Sequence, residues 1–291
     1  MFTRRSALAL SLVALATATL AETKKIPVVA SFSIIGDLVR EVGGDRVSVT
    51  TIVGPDGDAH VYEPSPADGR RIAKARLIFV NGLGFEGWLD RLIRAAKSKG
   101  EVVTLGKGVA ARTGEEGLDP HAWQDVANAK IYVEAIRDAL TAADPEGAQA
   151  YKANADAYLA RLDALDADIR QAIDALPKER RRVVSTHDAF GYFSAHYGVE
   201  FIAPQGVSTE AEVSARDVAR IIDAVRTHKV AAVFVENIAD PRLAKRIASE
   251  TGARMGGVLY SDALSDAKGD GATYIDMMRH NVKELTKALA P

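Results

Sequence analysis

The sequence predicts an α/β protein: two lobes of similar plan with parallel-type sheets, joined by one long stiff helix. Three observations carry this expectation. Short β-rich runs alternate with longer amphipathic runs in the first half of the chain, and the same alternation resumes in the second half. An uninterrupted amphipathic stretch lies between the two series. The length, 291 residues with 47% apolar and 26% charged side chains, is enough to bury a substantial core and fits two lobes better than one.

The N-terminus carries an export address. Arg4 and Arg5 precede the apolar stretch Ala7 to Leu20, and small residues lead to a cut after Ala21, so the mature chain is expected to begin near Glu22 in the periplasm. Two adjacent arginines fit both the general and the twin-arginine routes, and the pathway stays open. The chain contains no cysteine, which excludes acylation at a cysteine, disulfides and thiolate metal sites together. Any metal must therefore sit on nitrogen and oxygen.

The first series reads as strands over Ile26–Ser31, Val47–Val53, Leu77–Val80 and Glu101–Leu105, with helical patterns after each of the first three and again over Val126–Leu140. The second reads as strands over Val183–Ser185, Val199–Ile202, Ala231–Val235 and Met255–Tyr260. Its helices are expected over Asp188–His196, Ser214–His228, Pro241–Thr251 and Thr273–Leu289. Between them, Asp144-Pro145 is a good helix start and Pro177 a good stop. Tyr151, Ala155, Tyr158, Leu162, Leu165, Ile169, Ile173 and Leu176 recur at three- and four-residue steps, which makes one face apolar throughout. A continuous helix here would be roughly 48 Å long. The expected organisation is thus a leader over 1–21, a first lobe over 22–143, a connecting helix over 144–177 and a second lobe over 178–291.

Charge excludes some partners. The 37 basic residues nearly balance 39 acidic ones, and a net charge of −2 provides no field for gathering phosphates, so nucleic acid is not an expected partner. The dense run Lys178 to Arg182 reads as a cap on a helix end. No exposed heptad surface demands self-association, and a monomer is expected.

Three of the six histidines fall in turn-rich segments just after predicted strands, where α/β folds place their sites. His60 lies in Gly54-Pro-Asp-Gly-Asp-Ala-His60, His121 in Leu118-Asp-Pro-His121-Ala-Trp, and His187 in Ser185-Thr-His187-Asp-Ala-Phe. Asp262 occupies the same kind of place after Met255–Tyr260. Four such donors converging from four strand ends would complete a tetrahedral shell. Each residue also has a plainer reading, a surface turn histidine or a helix-capping aspartate, and spacing alone leaves that open. His196, His228 and His280 sit within helical patterns and are expected in surface or packing roles.

The Gly54–Pro64 loop with His60, Asp119-Pro-His121-Ala-Trp123, Ser185-Thr-His187-Asp-Ala-Phe-Gly-Tyr192 and Tyr260-Ser-Asp262-Ala-Leu-Ser265 together resemble the corresponding segments of the periplasmic zinc/manganese-binding proteins of metal ABC transporters, the cluster A-I solute-binding family. The similarity covers essentially the whole mature chain. It implies two α/β lobes held by a rigid backbone helix, with the ion in the cleft and delivery to an ABC permease in the membrane. It also implies that His60, His121, His187 and Asp262 are the metal ligands, in a receptor rather than an enzyme. Three imidazoles and one carboxylate suit Zn²⁺, whereas Mn²⁺ prefers more oxygen. In manganese-type members the position matching His187 is commonly Glu, which points the same way. The His-rich acidic loop of many zinc members is absent, since Ala111–Leu118 carries only Glu115 and Glu116, and Mn²⁺ or Fe²⁺ therefore stays open.

Two readings from other classes compete. Gly82-Leu-Gly84-Phe-Glu-Gly87 matches the dinucleotide fingerprint GxGxxG after a strand, but the position about 20 residues on holds Lys107 rather than an acidic ribose partner. An exported zinc hydrolase would need an open coordination position and a general base, for which Glu236 is the candidate. HExxH and GxSxG are both absent. Asp58 and Glu63 are possible additional ligands, and each ligating histidine needs an acceptor on its other nitrogen that the sequence does not name.

Overall fold

Apolar runs too short for helices and flanked by turns pair as buried parallel strands, and the chain does this twice. A computed structural model describes residues 25–114, 117–228 and 230–290; the expected leader lies outside them. The first lobe comprises β1 (Ile26–Phe32), α1 (Ser33–Gly43), β2 (Val47–Val53), α2 (Pro66–Lys74), β3 (Leu77–Val80), α3 (Leu89–Ala96), β4 (Glu101–Thr104), a small hairpin of β5 (Thr113–Gly114) and β6 (Gly117–Leu118), and α4 (Val126–Ala143). After α5 (Ala148–Asp174), the second lobe contains β7 (Arg182–Val184), α6 (Gly191–Tyr197), β8 (Glu200–Ile202), α7 (Ala215–His228), β9 (Ala232–Glu236), α8 (Pro241–Thr251), β10 (Arg254–Leu259) and α9 (Tyr274–Leu289).

The sheets have strand orders β2-β1-β3-β4 and β10-β9-β7-β8, parallel throughout. Counted from each lobe's own first strand, both are 2-1-3-4, so the similar plan expected from the alternation is an identical topology. Local chemistry explains several boundaries. Ser65 and Asp68 form a reciprocal capping box at the start of α2 with Pro66 in its first turn, and Asp240 caps α8 ahead of Pro241. Helix α6 begins at Gly191 rather than Asp188, because the backbone N–H of Asp188 donates to Gly206 and the chain there still follows the sheet. The hairpin β5–β6 has no counterpart in the sequence reading, since two-residue strands carry no periodic signal.

The expected continuous helix is shorter and begins later. Helix α4 runs directly up to Ala143, and Pro145–Gly147 forms a separate 3-10 turn before the 27 residues of α5. Asp144 works as a corner post: its carboxylate accepts from Arg46 Nε at 2.7 Å and from Tyr151 Oη at 2.8 Å. At the other end Arg181 donates to the carbonyls of Asp174 and Leu176, which is the capping role expected of the basic run. The predicted apolar face, Tyr151 through Ile173, is buried residue for residue. It packs against α1 and α4 of the first lobe and α9 of the second, so α5, about 40 Å long, is a beam shared by both lobes.

One hydrophobic core consequently runs from the first sheet through α5 into the second. Strand β9 shows the period of two: Ala232 and Phe234 face this core, whereas Val233 and Val235 face a separate layer under α7 and α8 with Ile221, Val225 and Ile247. Polar ties join the lobes at the same level. Trp123 Nε1 and Gln124 Nε2 donate to the carbonyl of Ser261 at 2.9 and 2.7 Å, and the Leu264 N–H donates to Ser33 Oγ at 2.9 Å.

Asp37 on α1 accepts from the first N–H of α9, that of Tyr274, at 2.8 Å. Burial pushes its carboxyl up to about 6 against the partial relief of that hydrogen bond. An acid whose pKa is higher folded than unfolded makes the fold lose stability as pH rises from about 4 to about 6, here by roughly 3 kcal/mol. Asp37→Asn, which can still accept from Tyr274, is therefore expected to melt higher than the parent at neutral pH, with the difference vanishing near pH 4. Equal melting temperatures across that window would refute the assignment.

Candidate metal centre

The four donors arrive on four strand-end loops, two from each lobe. His60 follows β2, His121 follows β6, His187 follows β7 and Asp262 follows β10. The loops of His60, His187 and Asp262 spring from the C-terminal ends of parallel strands, where such sheets leave a crevice for ligands, whereas that of His121 leaves the antiparallel hairpin β5–β6. The structure brings all four together: one ligand atom from each lies within 4.8 Å of the others, and all four residues are buried.

The geometry is that of a small polyhedron. His121 Nε2 stands 3.3 Å from His60 Nε2 and 3.3 Å from His187 Nε2. Asp262 Oδ2 is 3.2 Å from His60 Nε2 and 3.1 Å from His187 Nε2, and Asp262 Oδ1 is 3.5 Å from His121 Nε2. Donors held about 2.0–2.1 Å from a central ion in a tetrahedron are separated by about 3.3–3.4 Å along each edge. These five distances, with Asp262 counted through its nearer oxygen in each case, bracket that value. Neither oxygen of Asp262 receives a hydrogen bond of good geometry, although the carboxylate is wholly buried. A buried carboxylate without donors is costly unless a cation shares its site.

The imidazoles are oriented from behind. Asp119 Oδ1 accepts from the backbone N–H of His121 at 3.0 Å and lies 2.9 Å from its Nδ1. Glu236 Oε1 accepts from the N–H groups of Thr186 and His187 and from Thr186 Oγ1, and its Oε2 stands 2.5 Å from His187 Nδ1. Each carboxylate holds Nδ1 as the protonated nitrogen and leaves the Nε2 lone pair facing the cleft. For two of the three histidines, these are the acceptors the sequence left unnamed. Asp119 is legible in the sequence, two residues before His121; Glu236 is not, because its contact depends on β9 lying beside β7.

Electrostatics follow from the same arrangement. Burial alone would lower the His187 pKa, but the charges of Glu236 and Asp262 outweigh it and raise it well above the usual value. His121 is raised in the same way, burial being overcome by Asp262 and Asp119. Burial would raise Asp262, and the neighbouring His187 and His121 instead hold it well below the carboxylate range. The wall is aromatic: Phe85 packs edge-on to His60 with ring centroids 4.7 Å apart, and Trp123 to His121 at 5.4 Å.

Other candidates resolve differently. Glu236 sits behind His187 on the face away from the converging nitrogens, which removes it as a base toward anything held there. The glycine turn Gly82–Gly87 already holds an anion of its own. Glu86 Oε1 accepts from the Asn81 N–H at 2.7 Å and Oε2 from the Gly82 N–H at 3.1 Å, the place a pyrophosphate would need. Gly82, at φ +78°, has the left-handed backbone such a turn requires. Glu63 is exposed and outside the donor group, and Asp58 turns its oxygens elsewhere. His196 pairs with Asp125 and Asp166, and His280 with the Val258 carbonyl.

Two parallel α/β lobes braced by one helix and closing on buried imidazole and carboxylate donors define a bilobal solute receptor. Residues 28–288 match the family described as zinc-uptake complex component A, periplasmic, and the chain belongs to that family. Among its relatives, the manganese-binding lipoprotein MntA of Halalkalibacterium halodurans is 38% identical over 94% of this chain and 92% of its own length. The iron-binding protein YfeA of Yersinia pestis is 35% identical over 94% and 91%. The solved periplasmic zinc-binding protein TroA of Treponema pallidum superposes with a TM-score of 0.88 at 32% identity, over 92% of this chain and 100% of that one.

Proposed function

We propose that this protein captures one divalent transition-metal ion outside the cytoplasmic membrane and delivers it to an ABC permease, with His60, His121 and His187 binding through Nε2 and Asp262 through its carboxylate. The observation that carries the reading is the buried donor set, whose ligand atoms lie within 4.8 Å of one another with five contacts of 3.1 to 3.5 Å, and whose carboxylate is otherwise unpartnered. The ion is cargo, and the residues around it bind and release rather than transform. Four protein donors close the shell, leaving no position for an activated water, so a receptor is favoured over a hydrolase.

Zinc is the preferred cargo, because three neutral imidazoles and one carboxylate match its donor and geometry preferences. One observation favours manganese or iron as a second reading. Both Asp262 oxygens face the histidine nitrogens, so a bidentate carboxylate could supply the fifth donor that those ions favour. We also propose lobes spanning 22–143 and 178–291 about the 144–177 connector, preceded by a cleaved leader over 1–21.

The deciding experiment strips the mature protein with chelator, offers equimolar Zn²⁺ and Mn²⁺, and measures metal content and competition affinities. One tightly held zinc per chain, lost in His187→Ala, is the expected result. Preferential manganese would assign the same donors to the second reading, and the absence of any stoichiometric metal would overturn both.

A further inference from the structure

Asp58 is not among the four donors, yet it is fully committed. Its Oδ1 accepts from the backbone N–H of His60 at 2.9 Å, and its Oδ2 accepts from Thr209 Oγ1 of the opposite lobe at 2.6 Å. Thr209 belongs to the segment between β8 and α7, which is anchored beside another donor: Gln205 pairs with His187 in a parallel bridge, and the Asp188 N–H donates to the Gly206 carbonyl at 3.1 Å. The Gln205 amide in turn donates to the carbonyls of Thr209 and Ala211 at 3.1 and 2.7 Å, stapling the tip of the segment to its base. A short chain of hydrogen bonds therefore runs from His60 through Asp58, Thr209 and Gln205 to His187.

The same segment stands over the cleft. Val207, Ser208 and Glu210 line a groove with His60, Phe85 and Pro120. On its α7 side lies a second groove of about 490 Å³, bordered by Phe201, Pro204, Val213, Ile221 and Ala224. Close-packed interiors resist displacement, whereas a segment beside open volume can move into it at little cost. Hydrogen bonds on the cleft side thus hold a segment that packing leaves room to withdraw.

We infer that Asp58 and Thr209 form an interlobe latch that positions His60 and retards escape of the ion, with residues 203–213 as the moving cover. This rests on the metal-receptor reading. Thr209 touches no ion, so it is a positioning residue, and its effect falls on the rate of release rather than on the donor set. A hydrogen bond to a charged group corresponds to about a 10- to 100-fold change in an equilibrium or rate that depends on it.

The test loads the full mature protein with zinc and follows transfer to excess chromogenic chelator by stopped flow. Thr209→Val, of the same shape without the hydroxyl, is expected to release zinc about tenfold faster or more without slowing association. Thr209→Ser, which restores the hydroxyl, is expected to release at close to the parent rate. A purely packing role for Thr209 would instead leave Val closer to the parent than Ser. Release from Thr209→Val at the parent rate, with the parent holding one zinc, overturns the latch alone. A parent that holds neither zinc nor manganese overturns the receptor reading, and the latch falls with it.

Discussion

Asp262→Ala is expected to lower zinc affinity about a hundredfold or more and to erase most of the metal-dependent rise in melting temperature. Four-donor zinc sites bind with roughly 10–16 kcal/mol, so one donor accounts for about 3 kcal/mol, and each 1.4 kcal/mol is tenfold. The estimate is a lower one here, because Asp262 is the only formal negative charge among the donors and both of its oxygens face the imidazoles. Stabilisation by a ligand that binds only the folded chain scales with its affinity, so the zinc-induced shift in melting temperature should shrink in parallel. Differential scanning with and without zinc reads this directly, and circular dichroism of the metal-free variant checks that the fold persists. Asp262→Asn separates shape from charge: it should recover packing but little affinity. A variant at residue 262 that still holds one chelator-resistant zinc would remove Asp262 from the site.

The second large effect is a loss of metal on acidification. Zinc binds the neutral imidazole, so protons and metal compete for the same Nε2 lone pairs. In the metal-free protein, the carboxylates around His187 and His121 overcome burial and favour their protonated forms, which raises both pKa values. The sign follows: metal binding displaces protons, affinity increases with pH, and the increase continues above the ordinary histidine range instead of levelling near pH 6.5. With two protons displaced, the apparent affinity changes by about a hundredfold per pH unit below the raised values. Competition titrations from about pH 5.5 to 8.5, paired with proton release in weak buffer, measure the slope and the proton count together. Affinity that is flat from pH 6 to 8, with no proton release, would contradict the arrangement of Glu236 and Asp119 behind the histidines.

Much of this molecule is legible in its amino-acid order, and particular residues show why. The apolar stripe from Tyr151 to Ile173 specifies the buried face of α5, because helical periodicity is a property of neighbours three and four apart. The length of that helix was less legible: Asp144 reads as a helix start, whereas its carboxylate braces a corner between α4 and the following turn through Arg46, 98 residues away. The glycine turn was legible only in part. Gly82 and Gly84 announce a left-handed turn after β3, but whether its N–H groups await a phosphate or hold Glu86 depends on which way a single side chain folds back.

By itself the sequence determined the order of the elements apart from the β5–β6 hairpin, the apolar faces, the absence of thiolate chemistry, and the nitrogen and oxygen character of any metal site. These follow from local periodicity, caps and composition, which need no knowledge of what lies across the fold. Only the tertiary structure decided that His60, His121, His187 and Asp262 meet, that Glu236 stands behind His187 because β9 pairs with β7, and that Asp58 reaches across to Thr209. The physical reason is common to all three. Such contacts are set by strand order and by the angle at which two sheets share one helix, and both are properties of long-range packing that no local window of sequence contains.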